Sequence, residues 1–154
     1  MKKLETTVEE VLRHAIQSEV ETRAYLQKLA ERAASPEVKK RMLQLADLEL
    51  VHRAKLERKY RETLGQAPPA PDPAAVDIPP DLVQLDMTRA LKLALEHERD
   101  SESYFRFMCE RVPDTTELGR LFMELAEIEW KHKTDLQAEY DSTVPPDQFL
   151  MDIG

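Results

Sequence analysis

Apolar residues recur at spacings of three and four through most of this 154-residue chain, the period of helices that each bury one stripe. Four segments carry the pattern. The first aligns Val8, Val11 or Leu12, Ala15, Thr22, Leu26 and Leu29, and the second Met42, Leu45, Leu56 and Tyr60. The third aligns Leu91, Ala94, Phe105 and Met108, and the fourth Leu118, Phe122, Leu125, Leu136 and Tyr140. Local punctuation bounds them. Thr7 with Glu10 three residues on is a capping box, which opens a helix over about 7–34. Ser35-Pro36 breaks that helix and starts a second over 36–64, because proline suits a first helical turn. Asp86 caps a third helix over 87–112, and Pro113-Asp114 separates it from a fourth over 116–140.

Between the second and third helices the composition changes. Six of the ten prolines fall between Pro68 and Pro80, so residues 65–86 read as an extended crossover. Pro145-Pro146 closes the fourth helix and leaves a tail over 141–154. Its Phe149, Leu150, Met151 and Ile153 form an apolar edge suited to docking on the chain's own bundle or a neighbouring subunit. Two tight helix hairpins joined by one long connection predict an all-α four-helix bundle with a crossover, built as a single domain over 1–154.

Each apolar stripe is interrupted near its middle by ionisable residues: Glu19 in the first helix, Glu49 and His52 in the second, Glu98 in the third, Glu129 and His132 in the fourth. The halves are also a repeat. Ala15, Glu19, Tyr25, Glu31 and Arg32 reappear 79 residues later as Ala94, Glu98, Tyr104, Glu110 and Arg111. Leu45-Ala46, Glu49, His52, Leu56 and Tyr60 reappear 80 residues later as Leu125-Ala126, Glu129, His132, Leu136 and Tyr140. Two Glu-x-x-His words therefore stand in register, each with its carboxylate and imidazole close to one helical turn apart. Buried carboxylates without compensation are costly, and four converging ones also repel one another. Four carboxylates and two neutral imidazoles balance two divalent cations. Oxygen and imidazole donors suit iron or manganese, and zinc can take the same set. Six protein ligands on two metals leave positions open for oxygen, peroxide or water.

Composition narrows the function classes. Gly is scarce (3), as suits long helices. The net charge of -8 speaks against a phosphate-binding surface and gives no reason to invoke nucleic acid. Cys109 is the only cysteine, which excludes an intrachain disulfide, a thiolate zinc site and a rubredoxin-like iron centre within these residues. Met1-Lys2-Lys3-Leu4-Glu5 has no apolar run behind its lysines, and no segment reaches the length of a membrane span. The expectation is a cytoplasmic protein that engages no membrane.

From about Thr7 to Tyr140 the chain resembles the rubrerythrin-type members of the ferritin-like superfamily. The likeness is carried by Ala15-Ile16-x-x-Glu19, Tyr25 and Ala30 with Leu45-Ala46-x-x-Glu49-x-x-His52, and by Ala94, Glu98 and Tyr104 with Leu125-Ala126-x-x-Glu129-x-x-His132. A Glu from each of two helices and Glu-x-x-His from the other two is how ferritin-like bundles hold two irons. The resemblance implies an antiparallel ferritin-like bundle with a di-iron centre that reacts with hydrogen peroxide or dioxygen. It also implies that Glu49 and Glu129 bridge the metals, with Glu19, Glu98, His52 and His132 as terminal ligands. Electrons would come from a separate donor protein or from ferrous iron itself, and the unit would be a homodimer or larger homo-oligomer. Complete rubrerythrins carry a further carboxylate three residues after the third-helix Glu; here that position is Ser101. The site is accordingly expected to be the symmetric six-ligand form.

Other residues take plainer readings. Glu96 competes with Glu98 across His97, and both the repeat and the stripe favour Glu98. His14 and His97 lack partners at ligand spacing and read as surface residues or neighbours of the ligands. Tyr25 and Tyr104 read as packing residues, Cys109 as a small buried hydrophobe, and Trp130 as a packing or subunit contact. Two rival functions share the same ligands: an iron-binding or storage protein without turnover, and a structural bundle around a redox-inert ion.

Overall fold

Every helix opens on a side chain that accepts a hydrogen bond from a backbone N–H three residues on, which satisfies one of the donors a helix leaves free. In the structure, a computed structural model that describes residues 7–144, Thr7 caps α1 (Val8–Glu31) by accepting from Glu10 at 3.2 Å. Ser35 caps α2 (Pro36–Leu64), with Pro36 in its first turn. Asp86 accepts from Arg89 at 2.8 Å and caps α3 (Met87–Cys109). Thr116 accepts from Gly119 at 3.0 Å and caps α4 (Glu117–Thr143). α2 ends at Gly65, whose φ of 70° lies in the left-handed region open to glycine. Gly119 serves a different need. A methyl group there would overlap the carbonyl of Pro113, which also accepts from the Thr116 hydroxyl at 2.6 Å.

Three helix ends differ from those expected. α1 stops at Glu31, not near 34, because Leu85 in the crossover captures the chain. Leu85 donates to the Arg32 carbonyl at 2.9 Å, and Ala34 donates to the Leu85 carbonyl at 2.8 Å. α3 stops at Cys109, where the backbone N–H groups of Arg111 and Val112 both turn back to the Met108 carbonyl and Val112 is buried. α4 runs on to Thr143, past 140, since nothing in that turn opposes a helix. The expected docking of the apolar tail falls on residues outside those described.

α1 packs along α2 and α3 along α4, as two hairpins joined by the crossover. The hairpins meet around a divided core. One apolar lobe gathers Leu29, Met42, Leu85, Leu91 and Leu95. The other gathers Leu12, Tyr60, Phe105, Phe122 and Leu125. The crossover is held by side chains of α1. Gln17 exchanges two hydrogen bonds with the Asp72 backbone at 2.9 and 3.1 Å, and the Arg32 guanidinium donates to the carbonyls of Pro80 and Leu82. Among the described residues no helix is long and apolar enough to cross a membrane. The result is a ferritin-like four-helix bundle whose middle layer is polar.

Candidate metal centre

That middle layer is made by the residues that interrupt the stripes. Glu19, Glu49, Glu98 and Glu129 are all buried, at 5–7% exposure. Helical periodicity places them there: in α1, Ala15, Glu19, Thr22 and Leu26 follow one face, and all four are buried. Their donor atoms form two groups. Glu19, Glu49 and His52 offer ligand atoms that all lie within 4.8 Å of one another, and Glu98, Glu129 and His132 do the same. Each helix hairpin therefore builds one complete group from its own two helices. All six residues selected from the sequence are brought together, while Glu96 is exposed on the outside of α3.

The imidazoles connect the groups. His52 and His132 stack with ring centroids 3.7 Å apart and an interplanar angle of 13°. His52 Nδ1 lies 3.4 Å from Glu49 and 3.7 Å from Glu19, facing its own carboxylates. His132 Nδ1 lies 3.8 Å from Glu129 and is buried without a hydrogen-bond partner. A buried nitrogen aimed at carboxylates and left unpaired is what a metal ligand looks like without its ion.

The carboxylates show the same need. Burial, reinforced by Glu49 and opposed by His52, raises the Glu19 carboxyl from its ordinary 4.5 to about 9. Glu49 is raised by burial. Glu98 is raised well above the usual range by burial and by the charges of Glu129 and Glu49. Burial pushes Glu129 upward too, but the neighbouring His132 and the Glu98 carboxyl outweigh it and hold Glu129 below its ordinary value. Without cations burial works against the charged form of all four carboxyls and leaves three of them raised. Divalent ions would compensate that charge, so the donor set fits a pair of metals.

A pH dependence follows for metal-free protein. A carboxyl raised in the fold contributes stability that is fully present below its unfolded value and is lost as pH rises through its folded value. Glu19, Glu49 and Glu98 contribute in that sense, Glu19 between 4.5 and about 9, whereas the contribution of Glu129 changes only on the acid side of 4.5. The melting temperature of chelator-treated protein should therefore fall as pH rises from 4.5 to about 9, and added divalent metal should restore it most at the alkaline end. Thermal melts across that range, with and without metal, test this; melting temperatures that rise with pH without metal would contradict it.

The faces around the site hold features the sequence left open. On the α1/α3 side, Tyr25 stacks on His97 at 4.7 Å and Tyr104 stacks on His14 at 4.3 Å, so both tyrosines pack, and they pack on the two histidines outside both groups. His97 Nε2 and the Thr22 hydroxyl are 2.9 Å apart. Burial holds both imidazoles below their usual range. Cys109 is half-buried rather than fully enclosed, and Trp130 is 50% exposed.

Glu102 was missed. It is 4% exposed and is held between Lys133, at 3.5 Å, and Arg106. Its signal was the spacing of four from Glu98, which puts it about 40° round the same face of the helix. The repeat places Arg23 and Arg53 at the matching positions of the first hairpin, so the six candidate ligands are symmetric and their surroundings are not.

Two helix hairpins around paired carboxylate–imidazole groups define a ferritin-like bundle of the di-iron type. The family model for rubrerythrin matches residues 10–140, and the chain belongs to that family. Among solved structures it is similar to an uncharacterized conserved protein from Magnetospirillum magnetotacticum MS-1. The two share 20% identity over 92% of this chain and 98% of that chain, with a TM-score of 0.67, a likeness of fold. No curated protein matches the chain.

Proposed function

We propose that the protein holds two iron ions between its hairpins and acts as an oxidoreductase, reducing hydrogen peroxide or oxidising ferrous iron with dioxygen. The observation that carries this reading is the pair of groups Glu19, Glu49, His52 and Glu98, Glu129, His132, which meet across stacked imidazoles at the centre of the bundle. Iron at such donors supplies a ferrous–ferric couple. The chain's own part is to neutralise, orient and enclose. Four carboxylates balance the charge of two divalent ions, and the two apolar lobes close the site at both ends. By the family likeness, Glu49 and Glu129 take bridging roles and the other four ligands terminal ones.

With only Cys109 available in these residues, electrons are supplied by a separate donor or by ferrous iron. Leu43 with Met123 and Leu50 with Trp130 are exposed apolar pairs at matching positions of the repeat, and they support assembly as a homo-oligomer. Anaerobic titration with ferrous iron should saturate at about two ions per chain. Peroxide added with a reductant should then be consumed over many cycles. Mineral accumulation far beyond two irons would make this a storage protein, and failure to bind iron would leave a structural bundle.

A further inference from the structure

The two carboxylate–imidazole groups match residue for residue, and the helices that carry them differ one turn further on. Side chains on a helix lean toward its N-terminus, so a residue four positions after a glutamate comes back over that glutamate. In the first hairpin the residues at this spacing from Glu19 and Glu49 are Arg23 and Arg53. In the second hairpin the residues at this spacing from Glu98 and Glu129 are Glu102 and Lys133. Arg53 and Lys133 carry the same charge, so that pair does not distinguish the hairpins. Arg23 and Glu102 do: one position holds a cation in the first half and an anion in the second.

Their settings sharpen the contrast. Glu102 is buried, with its carboxylate on Lys133 and Arg106. Arg23 makes no ion pair among the described residues, and its Nε is buried with no hydrogen-bond partner. A further turn out the signs reverse, with Gln27 and Glu57 in the first hairpin against Arg106 and Gln137 in the second. Those positions lie about twice as far along the helix from the glutamates, so their charges act more weakly. The Arg106 side chain is 58% exposed, and water and salt screen it. Glu57 lies 3.4 Å from Arg53 Nε and offsets that cation, leaving Arg23 as the uncompensated charge beside the first group.

We infer that the two metal positions are unequal: Glu98, Glu129 and His132 take the first and tighter ion, and Glu19, Glu49 and His52 the second, because Arg23 stands where the other hairpin has Glu102. The inference rests on the proposed metal centre and adds an order of loading to it. A guanidinium beside Glu19 repels an incoming cation and draws on the same carboxylate charge. A carboxylate beside Glu98 does the reverse. Groups that surround metal ligands typically change affinity by about 10–100-fold, enough to make the ion of the first hairpin the exchangeable one.

Titration of the whole chain with cobalt, read by calorimetry and by the visible absorption of the bound ion, measures both steps without turnover. Repulsion between two ions separates the steps even in a symmetric site, so the diagnostic is which step each variant moves. Arg23→Met should tighten the second step by about 5-fold or more and leave the first within about two-fold. Arg23→Lys keeps the charge and should leave both steps within about two-fold of the parent. Glu102→Gln should weaken the first step by about 5-fold or more and leave the second within about two-fold. The Arg23 pair carries the test by itself if Glu102→Gln does not fold. A first step that tightens in Arg23→Met, or equal effects of Arg23→Met and Arg23→Lys, would overturn the inference while two bound ions keep the metal centre. Saturation at fewer than two cobalt ions in the parent chain would overturn both.

Discussion

Replacing Glu129 by alanine is expected to take the protein from two bound metal ions per chain to one or none. The same holds for Glu49→Ala. Each carboxylate is buried in the polar layer, and in the proposed bridging role its loss reaches both metal ions. Removing even a residue that only orients a ligand costs about 10–100-fold in metal affinity, so loss of a ligand itself should cost at least about 100-fold. Metal content after ferrous loading, with anomalous scattering at the iron edge, measures this directly. Glu96→Ala provides the contrast. That carboxylate is exposed on α3 two positions from Glu98, and its removal should leave loading intact. Full loading in either Glu49→Ala or Glu129→Ala would refute the assignment of these two residues.

The second large effect lies in the core. Phe122 is fully buried in the lobe that holds Leu12, Tyr60 and Phe105, at the end of the bundle where the α3–α4 turn closes. Phe122→Ala should cost about 3–5 kcal/mol, from lost burial and the void left behind. In a chain of this size that lowers the melting temperature by on the order of 10 °C. Trp130→Ala removes a larger side chain that is 50% exposed, and as an isolated chain it should change stability by no more than about 0.5 kcal/mol. Thermal denaturation of metal-loaded protein compares the two. A Phe122→Ala protein as stable as the parent would mean that this lobe does not hold the hairpins together.

Much of this was legible before any coordinates because two independent periodicities agreed. The three-and-four spacing showed which face of each helix is buried, and the repeat showed that the same break occurs twice. Together they selected Glu98 over Glu96, and the six candidate ligands form two compact groups in the fold. The helix starts were equally legible, since Thr7, Ser35, Asp86 and Thr116 each act through a hydrogen bond three residues away. Helix ends were not. α1 is stopped by Leu85, more than fifty residues distant, and no local signal contains that contact.

By itself the sequence determined the four helices, their buried stripes and the six candidate ligands, because each depends on neighbours within a turn or two. Tertiary structure alone decided how the ligands divide, one group to each hairpin, and that His52 and His132 stack between them. It alone buried Glu102 against Lys133 and left the α2/α4 seam open as a cavity. Those features depend on how two rigid hairpins sit against each other. Spacing along one helix specifies which face is buried, but not what lies across from it.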